Sequence, residues 1–351
     1  MRPISTSLVL SAAVLAGLPA VAQESVADFY KGKQLQIVIR SAPGGSYDQY
    51  SRLLARHIGK HLPGNPTMLP VNMPGGGGLL AINHVANIAP KDGTILTIPD
   101  IGLGMYQALG MLGDQLKADM RQFSFIGNFS QSNMTVITFH TSKVKTLEDA
   151  KREQAILGTT GAASISAQIP AIYNNLLGTK FKLLLGYQGD QDIAMERGEI
   201  DGRAAITYAA VKLSQPEWIK SKKLNFLLQV GLNKERELPD VPLLRELAVT
   251  DEQKQIFEFL SRVSVLGRVL VVGPGVPPER VAALRTAFMA TMSDPEFLAE
   301  AAKGSAEVSP LDGATVEKLY REKLNTDPAI LAKIRTAMEA RKEDQIQYNK
   351  K

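Results

Sequence analysis

Glycine-containing loops stand between apolar runs and helical patterns along most of the chain. The first apolar run, residues 34–40, shows little alternation of polar and apolar side chains, which is typical of a strand covered on both faces. It leads into a loop with Gly44 and Gly45, after which apolar residues recur at helical spacing through residues 50–62. The same order of strand, loop and helix returns at residues 68–88 and 156–177. This alternation predicts an α/β fold with mainly parallel sheets.

The last third of the chain has a different pattern. Residues 263–272 are mostly apolar and predict one long strand, and Pro277 and Pro278 stand where a helix would begin. From there to Lys351 the pattern is almost wholly helical. The chain has 351 residues, enough for two domains, and no Ser/Pro-rich linker divides it. We therefore expect two domains joined by strands that cross between them.

The first residues predict an export signal. Arg2 precedes an apolar run, and Ala20-Val21-Ala22 places small residues where signal peptidase inspects the chain. The apolar run falls short of the roughly 20 residues that span a bilayer. We therefore expect a signal peptide over residues 1–22, cleaved after Ala22, and a mature protein in the periplasm.

Composition excludes several function classes. There are no cysteines, which removes disulfides, thiolate nucleophiles and cysteine-based metal sites. The formal net charge is +5, and without Arg2 the mature chain carries 39 bases against 35 acids, or +4. A mild positive charge attracts anions. Because the sequence has no basic block and only 6% aromatic residues, nucleic-acid binding is not expected.

Three of the glycine loops have the chemistry of anion sites. Ser46 and Gln49 have the spacing of a capping box, so a helix is expected to begin there with unpaired N–H groups. Such N–H groups and the helix dipole favour a carboxylate or a phosphate. Residues 72–78, with four consecutive glycines, and residues 158–164 repeat the arrangement. The alternative is that all three are ordinary short βα turns.

The chain resembles the extracytoplasmic binding proteins of the tripartite tricarboxylate transporter family, often called Bug proteins. The resemblance covers nearly all of the predicted mature chain and rests on eight short motifs in the same order. They lie at residues 29–33, 42–55, 72–75, 89–94, 158–161, 187–201, 238–242 and 274–278.

The resemblance implies a type II-like periplasmic binding protein fold with two lobes, each a mainly parallel sheet flanked by helices. The first lobe would comprise residues 23–130 and 250–351, and the second residues 131–249. The implied function is to capture a small organic carboxylate, a di- or tricarboxylate, and to deliver it to the membrane subunits of the transporter. A monomer without cofactor or metal is expected.

The resemblance also implies a set of ligand-binding residues in the cleft between the lobes. They are Pro43, Gly44, Gly45, Ser46, Tyr47, Asp48, Pro74, Gly75, Gly76, Gly77 and Asp100 in the first lobe, and Thr159, Thr160, Gly161, Ala162, Ser164, Tyr187, Asp190, Thr207 and Tyr208 in the second.

Several alternatives stay open at the level of sequence. Arg40 is either an extra cation facing a second ligand carboxylate or an ion-pair partner at a strand end. Asp48 either contacts a ligand amine or hydroxyl or has a structural role at the helix start. His57 and His61 share a helix face, but Ile58 stands where a zinc protease motif requires glutamate. The alternative functions are an extracytoplasmic hydrolase of carboxylate esters, which would need a base beside a nucleophile, and a ligand sensor for a surface receptor.

Overall fold

A computed structural model describes residues 24–159, 164–187, 190–264 and 266–347, with only the backbone at residues 263, 264 and 347. The predicted signal peptide, residues 1–22, lies outside the described residues. The strands are β1 (Gln34–Ile39), β2 (Thr67–Asn72), β3 (Ile95–Thr97), β4 (Ser124–Asn128), β5 (Met134–Phe139), β6 (Ala155–Thr159), β7 (Phe181–Leu185), β8 (Gly202–Thr207), β9 (Leu224–Val230), β10 (Val269–Val272), β11 (Leu311–Asp312) and β12 (Gln345–Gln347).

Helices alternate with these strands over most of the chain, as the sequence predicts. They are α1 (Val26–Tyr30), α2 (Ser46–His57), α3 (Leu79–Asn87), α4 (Leu103–Leu109), α5 (Leu147–Arg152), α6 (Ile165–Leu177), α7 (Gln191–Glu196), α8 (Tyr208–Ser214), α9 (Pro216–Lys220), α10 (Asp251–Ser264), α11 (Pro278–Met292), α12 (Pro295–Lys303), α13 (Gly313–Leu324) and α14 (Pro328–Met338). Among the described residues, no helix is both long enough and apolar enough to cross a membrane.

The strands form two six-stranded sheets, each the centre of one lobe. The first has the order β11-β4-β10-β3-β1-β2 and the second the order β12-β7-β6-β8-β5-β9. β1 runs parallel to β2 and β3, and β6 runs parallel to β7 and β8. β10 is antiparallel to β3 and β4, and β5 is antiparallel to β8 and β9. The sheets are therefore mixed rather than mainly parallel. The chain comes from the first lobe when it forms β5 of the second sheet, and from the second lobe when it forms β10 of the first sheet.

Within the described part of the chain, the lobes are joined between β4 and β5, between α10 and β10, and between α13 and α14. The core of the first lobe includes Leu35, Leu54 and Phe288, and that of the second includes Leu157 and Leu183. Two separate sheets with helices packed on them confirm the predicted two-lobed α/β class.

The predicted assignment of residues 250–351 to the first lobe differs from the observed pairing at two helices and one strand. β12 pairs with β7 at the edge of the second sheet. Ile256 and Phe257 of α10 and Leu331 and Ile334 of α14 lie in the second core. Both helices pack on the second lobe because this buries their apolar side chains, and burial of apolar surface is the main favourable term in packing.

The predicted strand over residues 263–272 is wrong in its first half. α10 extends to Ser264, and the strand β10 covers only Val269–Val272. Ile256, Phe257 and Leu260 are buried at helical spacing, which carries the helix into the apolar run. One continuous apolar stretch therefore contains a helix end, a connection between lobes and a strand.

Candidate functional site

The first glycine loop connects β1 to α2 at the carboxyl edge of the first sheet. Pro43, Gly44 and Gly45 are exposed, and Gly44 has a φ of +90°, a conformation that favours glycine. The first backbone bond of α2 runs from the Gln49 N–H to the Gly45 carbonyl. The N–H groups of residues 46–48 therefore have no partner within the helix, and the helix dipole adds positive charge there.

The predicted capping box at this helix is not formed. The helix begins at Ser46, with Gly45 as its cap and no side-chain capping bond. The Ser46 hydroxyl accepts a hydrogen bond of 2.8 Å from the Arg268 guanidinium, and the Gln49 amide donates to the Gly44 carbonyl at 2.9 Å. The Ser46 hydroxyl therefore accepts from a charged guanidinium group instead of from the backbone N–H that a capping box would require.

Asp48 is a bridge between the first loop and the strand that precedes the second loop. Its carboxylate accepts hydrogen bonds of 2.9 Å from the Gly44 N–H, from Arg52 and from Asn72. Burial pushes the pKa of Asp48 upward, but these donors outweigh it and hold the pKa below its usual value. The Asn72 amide also donates to the Ser41 carbonyl at 2.9 Å. The structure thus places Asp48 in the structural role.

We expect Asp48→Ala to lower the free energy of unfolding by about 2–4 kcal/mol at pH 7, because it leaves the Gly44 N–H, the Asn72 amide and the Arg52 guanidinium without a shared, partly buried acceptor. Since the pKa of Asp48 is lowered on folding, its contribution is present at neutral pH and is lost as pH falls through the acid range. Urea unfolding at pH 7 and pH 3 measures both effects, with Asp114→Ala, at an exposed aspartate, as control. A difference that does not shrink at pH 3 would contradict this role.

The second glycine loop connects β2 to α3. Pro74 and the three glycines that follow it are exposed, and residues 75–78 all have positive φ values between +55° and +149°. The backbone conformation itself therefore requires glycine at these positions. Arg40 lies beneath the loop, where it donates to the Gly77 carbonyl and occupies the space that a Cβ atom at Gly78 would need.

Arg40 is an ion-pair partner, the second of its two predicted alternatives. Its guanidinium lies 2.9 Å from the Asp100 carboxylate and 4.5 Å from the centre of the Tyr47 ring. Burial disfavours the charged form, but Asp100, Tyr47 and Tyr106 together outweigh burial and raise the pKa of Arg40. The Tyr47 hydroxyl accepts from the Ile101 N–H at 3.1 Å, and Asp100 accepts from the Gly102 N–H at 2.7 Å. Tyr47 and Asp100 are thereby fixed beside both glycine loops.

Arg268 is a candidate site residue that was not predicted from the sequence. It lies just before β10, only 6% exposed, with its guanidinium 4.2 Å from the centre of the Tyr47 ring. Two guanidinium groups, those of Arg40 and Arg268, thus lie within 4.5 Å of the centre of the Tyr47 ring. The sequence does contain a sign of its role, because Arg268 is a charged residue inside the apolar run at residues 263–272. Interpreting the whole run as one strand concealed that sign.

Tyr106 links these first-lobe charges to the start of α6 in the second lobe. Burial raises the pKa of its hydroxyl, and the negative charge of Asp100 acts in the same direction. The backbone N–H of Ile165, at the start of α6, acts on this hydroxyl and opposes the rise in pKa. The charges around the first two loops and the helix that follows the third loop are therefore neighbours.

The described residues of the second-lobe loops are mostly engaged with the protein. The carbonyl of Thr159 accepts from the N–H groups of Gly186 and Tyr187, both at 3.0 Å, and the Thr159 side chain is buried. Ser164 caps α6, with its hydroxyl 2.8 Å from that of Ser166. Asp190 precedes α7, and the Tyr187 side chain lies in an apolar cluster. Thr160, Gly161 and Ala162 lie outside the described residues.

A family model described as the tripartite tricarboxylate transporter family receptor matches residues 51–337, which is more than half of the chain. The chain belongs to this receptor family. A curated relative from Cupriavidus necator, the UPF0065 protein in the gbd 5' region, is 23% identical over 337 residues, covering 94% of this chain and 96% of its own.

Solved structures of the receptor family share the fold. The periplasmic binding protein BugD gives a TM-score of 0.66 at 19% identity, covering 88% of this chain and 98% of its own. MatC from Rhodopseudomonas palustris, solved with bound malate, gives 0.65 at 18% identity, covering 88% and 99%. The resemblance inferred from sequence motifs is therefore confirmed, and the family is one of binding receptors rather than enzymes.

Two other predicted contact residues of this receptor use their hydroxyls within the second lobe. Thr207 caps α8 by accepting from the Ala210 N–H at 3.2 Å. The Tyr208 hydroxyl donates to Glu237 at 2.8 Å, and Lys212 lies 2.8 Å from the other oxygen of that carboxylate. Burial, followed by the bond to Glu237, raises the pKa of Tyr208. Their contact with a ligand remains a prediction.

The histidines of α2 and the turn that follows it face carboxylates of α12. Ligand atoms of His57, Asp294 and Glu296 lie within 4.8 Å of one another, the spacing of a possible metal site. However, the Lys60 ammonium lies 2.7 Å from Asp294 and 2.6 Å from Glu296. The Lys60 ammonium therefore already lies between the two carboxylates that a metal ion would need.

Proposed function

We propose that this receptor is an exported solute-binding protein of the periplasm that closes its two lobes on a small organic carboxylate and delivers it to a tripartite tricarboxylate transporter. Membership of the receptor family supports the class of function. The malate bound to MatC supports a carboxylate ligand, and a di- or tricarboxylate is the preferred class.

The observation that carries the proposal is the start of α2. Residues 46–48 present N–H groups that have no acceptor within the helix, beside an exposed glycine loop, and Asp48 accepts a hydrogen bond from that loop. A helix start of this kind binds a carboxylate because its N–H groups and its dipole both favour negative charge.

The second lobe would complete the site on closure. The Tyr106 hydroxyl is close enough to feel both the Arg40–Asp100 pair and the Ile165 N–H at the start of α6, so a ligand at α2 would lie close to a second helix start. Closure is stabilised by a ligand only through the contacts that it makes in the closed state. We propose that the loops at residues 159–164 and 187–190 supply those contacts, within a monomer.

We expect Gly45→Leu to weaken carboxylate binding at least tenfold without unfolding the protein. Gly45 has a φ of −73°, and a Cβ atom there would meet no atom closer than 3.7 Å, so the fold accepts a side chain. The same side chain would cover the N–H groups of α2. The measurement is calorimetric titration with the tightest binder among malate, succinate, citrate and benzoate, chosen by thermal shift.

Gly304→Leu is the matched control, because a Cβ atom at Gly304 also meets nothing closer than 3.7 Å and this residue ends α12. Unchanged affinity in Gly45→Leu would refute the location of the site. Absence of binding to all four acids by the wild-type protein would refute the carboxylate function, and turnover of their esters would favour the hydrolase.

A further inference from the structure

Arg268 is a buried cation with no ion-pair partner among the described residues. The side chain is almost fully buried, and its Nε atom has no hydrogen-bond acceptor. Its Nη1 donates to the neighbouring Gly267 carbonyl at 2.8 Å, which supplies no charge. In contrast, Arg40 pairs with Asp100 and Arg52 pairs with Asp48, each at 2.9 Å. Of these three arginines around the first two loops, Arg268 is therefore the one whose charge no carboxylate of the described residues balances.

Arg268 contacts the proposed ligand site through Ser46. Its Nη2 donates to the Ser46 hydroxyl oxygen at 2.8 Å, and a guanidinium group can only donate. The hydroxyl hydrogen of Ser46 must therefore point elsewhere, and it has no acceptor within the described residues. Ser46 is the first residue of the 12-residue helix α2, beside the unpaired N–H groups. The hydroxyl and these N–H groups thus form one set of donors.

A buried charge without a counter-ion destabilises a folded protein. The faces of Tyr47 and Tyr50, at 4.2 and 5.8 Å from the guanidinium carbon, offset part of this cost. Tyr47 also stacks on Arg40, but the charge of Arg40 is already balanced by Asp100. A carboxylate bound at the start of α2 would supply the negative charge that Arg268 lacks.

We propose that Arg268 makes the first loop selective for ionised carboxylates over the amides and esters of the same acids. Its guanidinium polarises the Ser46 O–H, which donates to the ligand carboxylate, and its charge is balanced only when that carboxylate is bound. Arg268 is thus a positioning residue that acts through Ser46. The proposal rests on the proposed function, because it assumes that the carboxylate binds at α2.

The test compares wild-type protein with Arg268→Met, Arg268→Lys and Ser46→Ala. Arg280→Met is the matched control, since Arg280 also donates to a carbonyl, that of Asp92, and stacks on Phe29. Titrations use malate, succinate and benzoate beside malamide, succinamide and benzamide. We expect Arg268→Met to lose roughly 10–100-fold in acid affinity, Arg268→Lys to lose less, and Ser46→Ala to lose roughly 5–10-fold. The control should stay within about twofold, and wild-type protein should not bind the amides.

Thermal unfolding without ligand separates this role from a structural one. Because an unbalanced buried charge is removed, Arg268→Met should raise the melting temperature of the ligand-free protein by about 2–5 °C. A lowered melting temperature, failure to fold or unchanged acid affinity would overturn the proposal. If the wild-type protein binds no acid, the proposed function fails, whereas a variant that binds as tightly as wild type refutes only the role of Arg268.

Discussion

Lys323→Met should raise the free energy of unfolding by about 2–4 kcal/mol at pH 7, an unusually large gain for a single substitution. Lys323 lies in the last turn of α13, is 3% exposed, and its ammonium group has no hydrogen-bond partner among the described residues. The ring of Tyr320, with its centre 5.3 Å away, is the contact that stabilises its charge. Burial lowers the pKa of Lys323 to about 7. The folded protein therefore disfavours the charged form that the unfolded chain adopts freely.

The pH dependence has a definite sign. Between about pH 7 and pH 10.5 the unfolded chain binds a proton at Lys323 that the folded protein does not bind, so stability rises with pH in this window. The difference between Lys323→Met and wild type should therefore shrink as pH increases from 7 to 10. Denaturant unfolding at several pH values measures it, and Lys318→Met, on the exposed face of the same helix, is the control. A difference independent of pH would contradict a neutral buried lysine.

Arg40→Met should lower the free energy of unfolding by about 2–4 kcal/mol, because it leaves the mostly buried Asp100 carboxylate without its counter-ion. It also removes the donor to the Gly77 carbonyl, which fixes the second glycine loop. We therefore expect weaker carboxylate binding in addition to lower stability.

A double-mutant cycle with Asp100→Asn tests this pair. Asp100→Asn alone leaves Arg40 unpaired, whereas the double variant contains neither charge and should recover about 1–3 kcal/mol relative to the sum of the single effects. Chemical unfolding gives the four free energies, and calorimetric titration gives the four affinities. Additive effects on stability would show that the ion pair does not join the two loops.

Periodicity predicted most elements of the fold because each apolar face is visible in the local sequence. The strand predicted to begin at residue 34 is β1, and the strand, loop and helix predicted at residues 156–177 correspond to β6 and α6. Periodicity did not reveal where a helix of the last third packs. The sequence shows that α10 and α14 have apolar faces but not which core buries them, and only the three-dimensional arrangement assigns them to the second lobe.

The glycine loops of the candidate site were predictable from the sequence, but the partners of its polar and charged side chains were not. Glycine loops before helices identified the first-lobe edge, since that signal lies in consecutive residues. The partner of Ser46 is Arg268, 222 positions away, and that of Arg40 is Asp100. Pairings between distant residues leave no local pattern in the sequence. The spacing of Ser46 and Gln49 therefore predicted a capping box, whereas the Ser46 hydroxyl binds Arg268 instead.

Neither lobe is built from one continuous stretch of chain. The first sheet takes strands from residues 34–128 and then from residues 269–312, and the second is completed only by β12 at residues 345–347. During synthesis, the first sheet would lack a strand until residue 312 has been joined, and the second until residue 347. If the chain is exported unfolded, this topology delays completion of the second lobe until β12 has crossed the membrane, because no fragment that ends before β12 contains both sheets in full.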